Sequence, residues 1–157
     1  MDEFEALLSQ FEDPVEKASS RAEDKATVLV VDDDESMRRG LMRTLSGKFN
    51  VLTASNGPDG LKSFSENEVK SVILDIKMPG MNGFEVCTRL RQSDKPDIPV
   101  LFLTAHQAEH DLKEIQDLYR PLAYLDKGGD HDLSVQVERA VETYGAIMKT
   151  TVHKDIQ

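Results

Sequence analysis

The amino-acid sequence predicts an α/β fold, a doubly wound five-stranded parallel sheet with helices on both faces. Short apolar, β-branched runs such as 27–31 have the composition of strands that are buried on both faces. Segments with apolar residues at helical spacing, such as 35–45, follow these runs. The two kinds of segment alternate five times, which is typical of parallel strands joined by right-handed crossovers.

The predicted elements can be assigned in order. The strands are the apolar runs 27–31, 49–54, 71–74, 98–103 and 122–125. The helices are the periodic segments at about 35–45, 57–66, 84–92, 108–119 and 131–148. Asp34 is the predicted N-cap of the first helix, and Pro58 suits the first turn of the second. Pro96 and Gly128 interrupt the chain before the fourth strand and the last helix. The fourth helix has the weakest apolar pattern, so we expect it to rearrange easily.

Composition excludes several classes of protein. The 157 residues include 29 Asp or Glu and 19 Lys or Arg, and the net charge of −10 argues against nonspecific binding to nucleic acid or an anionic membrane. A single cysteine excludes an internal disulfide and a cysteine-based zinc site. No apolar stretch is long enough to span a bilayer, and residues 1–13 lack the features of a secretory signal. We therefore expect a cytoplasmic protein without membrane contact.

Charge also divides the chain. Residues 1–24 carry a net charge of −6, and the rest carry −4. The early segment contains an apolar stripe at helical spacing, formed by Phe4, Leu7, Leu8 and Phe11. This predicted short helix either lies on its own domain or docks on a partner. The predicted organisation is an acidic extension with this helix and a linker (1–26), one α/β domain (27–148) and a polar C-terminal tail (149–157).

Residues that can carry chemistry follow four of the predicted strands. They are Asp32-Asp33-Asp34, Asp75, Thr104 and Lys127. The carboxyl ends of parallel strands meet at one edge, so we expect these side chains to converge there. Clustered carboxylates favour a hard divalent cation such as Mg²⁺. A carboxylate can also act as a nucleophile and form an acyl phosphate, while a cation, a lysine and a hydroxyl neutralise the phosphoryl oxygens.

The same residues carry a family resemblance. Val30-Val31-Asp32-Asp33, then Asp75-Ile-Lys-Met-Pro-Gly-Met-Asn-Gly-Phe-Glu85, then Thr104-Ala105 and finally Lys127 resemble the receiver domain of two-component response regulators. The resemblance covers about residues 27–148, and the string Asp-x-x-Met-Pro-x-Met-x-Gly is its most specific part. It implies the flavodoxin-like receiver fold for the whole α/β domain.

The resemblance also implies a role for each matching residue. Asp75 is expected to be the phosphoacceptor. Lys127 and Thr104 are expected to contact the phosphoryl oxygens, and Thr104 is expected to act with Tyr124 as the conformational switch. The expected Mg²⁺ ligands are Asp32, Asp33, Asp75 and the backbone carbonyl of Lys77. The side chains of Lys77 and His106, each two residues beyond a site residue, are expected to tune dephosphorylation.

The partners implied by the resemblance are proteins. A histidine kinase or phosphotransfer protein is expected to donate the phosphoryl group. Output is expected through the face formed by the fourth helix, the fifth strand and the fifth helix, toward an output protein or a second copy. Such a protein is a switch rather than an enzyme, apart from catalysing its own phosphorylation and dephosphorylation. Only nine residues follow Met148, so the chain is either a stand-alone receiver or a piece of a longer protein.

Two alternatives remain open at this stage. Gly128 stands where the family usually has proline, and Arg120-Pro121 where it usually has Gly-Ala. These departures suggest a pseudo-receiver, a binding module that acts without phosphorylation. The string Asp32-x-Asp34-x-Ser36 loosely resembles the first motif of haloacid dehalogenase-type phosphatases, with Asp32 as nucleophile. The chain lacks room for the cap domain of that class, and the loop after Asp75 would have no role in it.

Overall fold

The computed structural model describes residues 25–105, 112–127 and 133–156, with side chains described as far as residue 150. It confirms the predicted class. The strands are β1 (Thr27–Val31), β2 (Asn50–Ala54), β3 (Val69–Asp75), β4 (Val100–Thr104) and β5 (Ala123–Asp126). The helices are α1 (Glu35–Leu45), α2 (Gly57–Glu66), α3 (Gly83–Arg91), α4 (Leu112–Tyr119) and α5 (Leu133–Ile156).

All five strands pair in parallel, in the order β2-β1-β3-β4-β5. The order reverses between β1 and β3, and a crevice opens beyond the carboxyl ends of strands at such a point. Val31 pairs with Leu74, and Asp75 pairs with Leu103, so the three central strands end at nearly the same level. The sheet therefore brings the residues that follow β1, β3 and β4 to one edge.

Alternate residues of each central strand face opposite helical layers. In β1, Val28 and Val30 pack with α1 and α5, in a cluster that includes Leu45 and Val137. Leu29 and Val31 face the other side, where α2, α3 and α4 contribute the buried residues Phe64, Val86, Cys87, Leu90 and Ile115. Because both faces are covered, the strands read as continuous apolar runs rather than as alternating ones.

Some boundaries differ from the predictions. The largest difference is α5, which was predicted to end near Met148 and instead continues to Ile156. Residues 149–156 contain neither Gly nor Pro, so no residue there stops the helix. Residues 149–156, which were predicted to belong to a polar tail, are thus helical.

Several predictions fall outside the described residues. They concern the apolar stripe at residues 4–11, His106, the first part of the predicted fourth helix, and Gly128-Gly129. Within the described residues, no helix combines the length and apolarity that crossing a membrane requires.

Candidate functional site

Three carboxylates and one ammonium group meet at the crevice. Asp32 follows β1 and Asp75 ends β3, and both are buried, whereas Asp33 is exposed. One carboxylate oxygen from each of the three lies within 4.8 Å of the others. The Lys127 Nζ atom lies 3.1 Å from Asp75 Oδ1 and 3.3 Å from Asp32 Oδ2. The strand ends therefore converge as the sequence predicts.

Backbone and side-chain contacts hold Asp32 in place. Its N–H donates to the carbonyl of Ala54 at 3.1 Å, and its Oδ1 accepts from the N–H of Asp34 at 2.9 Å. The guanidinium of Arg38, on α1, donates to the carbonyl of Asp32 at 2.7 Å. These three hydrogen bonds fix the turn after β1, so the Asp32 carboxylate has a defined direction.

Asp34 has a different task from its two neighbours. Its Oδ1 accepts from the N–H groups of Ser36 at 2.9 Å and Met37 at 3.4 Å, which makes it the N-cap of α1, as predicted. The second aspartate of the dehalogenase-like string is therefore committed to the helix end.

The loop after Asp75 packs closely beneath it. The N–H of Ile76 donates to the carbonyl of Leu103, and the N–H of Gly83 donates to the carbonyl of Ile76. A Cβ atom on Gly83 would lie 2.3 Å from the carbonyl oxygen of Asp75. This distance is too short for any side chain, so only glycine fits at this position. Gly80 has a φ of +76°, in the left-handed region that glycine adopts without strain. The two glycines of the motif therefore fix the backbone that carries Asp75.

The fourth and fifth strands supply the remaining groups. Thr104 ends β4, is buried, and pairs with Asp126 in β5. The N–H of Lys127 donates to the carbonyl of Thr104 at 2.9 Å, which continues the ladder by one residue. The lysine therefore approaches Asp75 from a backbone position that β4 fixes.

The electrostatics of the site favour positive charge. The pKa of Asp75 is raised from 3.8 to about 7, first by burial and then by the nearby Asp32 carboxylate, while the hydrogen bond and charge of Lys127 oppose the rise. For Lys127, burial lowers the pKa, but the hydrogen bond and charge of Asp75, and then the charge of Asp32, outweigh burial and raise it overall. One lysine thus compensates the carboxylates only partly.

The residues present fit a hard divalent cation. Among the described residues, Asp32 Oδ2 and Asp75 Oδ2 are buried oxygens without a hydrogen-bond partner. Although Asp32 Oδ2 lies 3.3 Å from Lys127 Nζ, the two groups are not in hydrogen-bond geometry. Buried carboxylate oxygens left without a hydrogen bond are costly, and an all-oxygen donor set suits Mg²⁺. The carboxylates of Asp32, Asp33 and Asp75 could therefore hold this ion.

The predicted switch residue Tyr124 lies on β5, away from the carboxylates. Its ring is partly buried and packs on Phe102 at a centroid distance of 6.3 Å, and its hydroxyl donates to the carbonyl of Leu112 at 3.4 Å. Burial raises the pKa of this hydroxyl. The tyrosine thus joins β5 to the first described turn of α4.

The far end of α4 is tied to α3 by a residue that sequence reasoning missed. The guanidinium of Arg91 donates to the carbonyls of Tyr119 at 2.9 Å, Arg120 at 3.1 Å and Ile98 at 2.6 Å. Burial lowers its pKa. Arg120 has a φ of +53°, a left-handed conformation that ends α4 before Pro121. Arg120 and Pro121, which differ from the usual family residues, therefore form the end of α4, and Arg91 anchors that end.

Two other contributors were also missed. Arg38 was assigned only to the first helix, and no sequence pattern marks it as a partner of the Asp32 carbonyl. Gly83 was part of the motif string, but no packing role was assigned to it. The exposed side chain of Lys77 lies in the loop after Asp75.

Comparison with known proteins gives a consistent result. The family model described as the response regulator receiver domain matches residues 28–130. A response regulator, MprA of Mycolicibacterium vanbaalenii, is 33% identical over 131 residues, which cover 82% of this chain and 52% of that protein. The transcriptional regulatory protein AfsQ1 of Streptomyces coelicolor is 37% identical over 87 residues, covering 55% of this chain and 38% of that protein. The chain thus spans about a third to a half of the length of the curated relatives that it matches.

Solved structures show the same architecture. The chemotaxis protein CheY4 of Vibrio cholerae aligns with a TM-score of 0.68 and 29% identity, over 74% of this chain and 98% of that chain. A structure named as adenylate cyclase from Rhodopirellula baltica aligns with a TM-score of 0.77 and 26% identity, over 85% of this chain and 99% of that chain. The predicted resemblance is confirmed.

Proposed function

The chain belongs to the response regulator receiver family of two-component systems, and from this premise we propose that Asp75 is its phosphoacceptor. Receiver domains of this family are signalling switches that interact with histidine kinases. The proposed donor here is a histidine kinase or a phosphotransfer protein. The single observation that carries the proposal is the buried Asp75 carboxylate, with the Lys127 ammonium 3.1 Å from its Oδ1 and an open hydrogen-bonding position on its Oδ2.

The proposed reaction is a phosphoryl transfer. A carboxylate oxygen of Asp75 bonds to the phosphorus of a phosphohistidine while the phosphorus–nitrogen bond breaks, and the electron pair returns to the imidazole. The product on the chain is an acyl phosphate. Transfer of this kind depends mainly on neutralising the charge of the phosphoryl oxygens. The Lys127 ammonium and the Thr104 hydroxyl are the groups at this edge suited to that task.

A divalent cation is part of the proposal. The carboxylates of Asp32, Asp33 and Asp75, together with the carbonyl of Lys77, would hold Mg²⁺, which supplies positive charge beside the phosphoryl oxygens when bound. The Arg38 contact and the Asp34 N–H would keep Asp32 directed into the site. The chain's own catalytic contribution is limited to its own phosphorylation and dephosphorylation, and Lys77 and His106 are proposed to tune the latter.

Output is proposed to follow from Thr104 and Tyr124. Movement of Thr104 toward the phosphoryl group would free space next to β5, and Tyr124 would turn inward. The tyrosine now contacts the carbonyl of Leu112, so its rotation would alter the packing of α4. The α4–β5–α5 face would then bind an output protein or a second copy.

The wider biological setting is also a proposal. AfsQ1 is named a transcriptional regulatory protein, and this chain covers 38% of it. An output through DNA would thus involve regions outside the alignment, and the absence of nucleic-acid contact by this acidic chain stays a prediction. We also propose a cytoplasmic location. The proposed division of the chain is 1–26, 27–148 and 149–157, and residues 149–156 of the last segment are helical.

Acetyl phosphate with Mg²⁺ tests the proposal directly. We expect the wild-type chain to gain the mass of one phosphoryl group and Asp75→Asn to gain none. Asp34→Asn is the matched control, because asparagine preserves an N-cap and the residue lies beside the site. The proposal fails if the wild type is not modified, or if Asp75→Asn is modified as fully as Asp34→Asn.

A further inference from the structure

A groove lies at the end of the sheet opposite to the carboxylates. It runs between the starts of β1 and β3 and one side of α5, and its volume is about 520 Å³. This volume falls within the range of roughly 300–1,000 Å³ that is usual for ligand pockets, so the groove has room for several apolar side chains. The proposed phosphorylation does not use it.

The α5 side of the groove is an apolar stripe. Val141, Tyr144, Gly145 and Met148 line it, and their spacing of i, i+3, i+4 and i+7 puts them on one helical face. Tyr144 is buried, but Met148 is 42% exposed. A Cβ atom on Gly145 would meet nothing within 4 Å. The floor of the groove is therefore packed, while its outer part is open down to the helix backbone.

We propose that residues 4–11 of this chain occupy the groove, with their apolar stripe against α5. The stripe formed by Phe4, Leu7, Leu8 and Phe11 has the same spacing as the stripe on α5, and two such faces exclude water from each other when they pack. An isolated helix of this length is marginal in water, so it gains most of its stability from such packing.

The connection between the two parts favours this occupant. Lys25, the first described residue, itself lines the groove. Residues 12–24 link it to the apolar stripe, and 13 residues can span up to about 45 Å. The tether thus reaches the whole groove and keeps the local concentration of the segment high, which favours it over a separate molecule.

Charge favours the same occupant. Residues 1–24 carry −6, whereas the groove is lined by Lys25 and Lys70 against one acid, Glu68. The Lys70 ammonium lies 6.0 Å from the centroid of the Tyr144 ring, at the groove floor. The acids that follow the stripe, Glu12 and Asp13 among them, would meet the two lysines that line the groove.

A paramagnetic label on the full chain tests the proposal. Ser9→Cys provides an attachment site outside the apolar stripe. The native Cys87 thiol is buried, and burial raises its pKa to about 11, so a nitroxide reagent modifies residue 9 selectively. We expect amide signals of residues 25–27 and 141–148 to be broadened strongly. Signals at the opposite edge, such as those of Ala105 and Lys127, should remain sharp.

Two glycine variants distinguish docking in the groove from a general effect of replacing a helical glycine by glutamine. Gly145→Gln fills the open part of the groove, and glutamine is a better helix former than glycine, so the fold is preserved. Gly40→Gln is the matched control, because Gly40 is also helical and has the same free space around its Cβ position. We expect Gly145→Gln to abolish the broadening and Gly40→Gln to retain it.

Three results would overturn the proposal. The first is weak, uniform broadening in the wild-type background, and the second is strong broadening centred elsewhere on the domain. The third is broadening of an unlabelled, isotope-enriched chain by a spin-labelled second chain at the same strength, which would identify a second copy as the occupant. None of these results depends on whether Asp75 is phosphorylated.

Discussion

The Lys127 Nζ atom lies 3.1 Å from Asp75 Oδ1, although the residue after Lys127 is glycine and not the proline usual in this family. The contact is set by the backbone on the other side of the lysine, where its N–H donates to the carbonyl of Thr104. The pairing of β4 with β5 therefore delivers the lysine to the site. Glycine at position 128 was one of the two reasons for the pseudo-receiver interpretation, and the observed position of Lys127 weakens that reason.

Removal of the Lys127 charge should slow phosphorylation. We expect Lys127→Met to reduce the rate of Asp75 modification by acetyl phosphate by about 100-fold, the size of effect seen when one group that stabilises transition-state charge is lost. The pKa of Asp75 should also rise, because Lys127 at present opposes that rise. The exposed Lys62 on α2 offers a control, Lys62→Met, whose rate should equal that of the wild type. Equal rates for the two variants would exclude the proposed role of Lys127.

The raised pKa of Asp75 predicts a pH-dependent cost in stability. An acid whose folded-state pKa rises from 3.8 to about 7 holds its proton more tightly in the folded state. Below about pH 3.8 the Asp75 carboxyl is protonated in both the folded and the unfolded state, so it does not lower the free energy of unfolding. As the pH rises toward 7, the unfolded state loses this proton first, and the free energy of unfolding falls. We expect Asp75→Asn to raise the free energy of unfolding of the metal-free protein by roughly 1–3 kcal/mol at pH 8, with little effect at pH 4.

Urea unfolding at the two pH values measures this difference. Asp117→Asn, at an exposed position on α4, should change stability little at either pH. If Asp75→Asn destabilises the protein at pH 8, or acts equally at pH 4 and pH 8, the assigned burial penalty is wrong.

The carboxylate cluster predicts stabilisation by Mg²⁺. A ligand that binds only the folded state raises the unfolding temperature, so Mg²⁺ should do so for the wild type. Asp32→Asn should weaken binding at least about tenfold, the lower end of the loss found even for outer-shell partners of metal sites. Asp34→Asn should bind as the wild type does. A thermal shift that is the same in all three proteins would argue against the cluster as the Mg²⁺ site.

The close packing of Gly83 predicts a local defect on substitution. Gly83→Ala puts a methyl group 2.3 Å from the Asp75 carbonyl oxygen, so the loop or the strand end must shift. We expect a loss of about 1–3 kcal/mol in the free energy of unfolding, typical of overpacking, together with slower phosphorylation.

Gly40→Ala is the matched comparison for that variant. Gly40 lies inside α1 with free space around its Cβ position, and alanine should stabilise the helix by roughly 0.5–1 kcal/mol. Chemical denaturation of the two variants should thus give effects of opposite sign. A neutral Gly83→Ala variant with normal phosphorylation would show that the contact does not position Asp75.

Much of the site could be predicted from sequence because strand ends in a parallel sheet meet at one edge. Asp32, Asp75, Thr104 and Lys127 each follow or end an apolar run, so their convergence follows from the alternation of strands and helices. The N-cap at Asp34 was predictable for a similar local reason. The fold class rests on the same alternation.

The features that could not be predicted from the sequence depend on which groups come close together in the folded chain. The Arg38 contact with the Asp32 carbonyl and the Arg91 contacts with the end of α4 involve backbone groups, which carry no residue-specific signal. The need for glycine at position 83 comes from a loop folding back on Asp75. The continuation of α5 to Ile156 was missed because polar residues without a helix stop permit both a tail and a helix.

The central claim is that Asp75, and no other carboxylate of the cluster, receives the phosphoryl group. Borohydride reduction of the acetyl phosphate-treated chain converts an aspartyl phosphate to homoserine, which peptide mass spectrometry can locate. The account predicts homoserine at position 75 in the wild type, with Asp32 and Asp33 unmodified. Homoserine at position 32 would contradict the account and would instead favour the dehalogenase-type nucleophile.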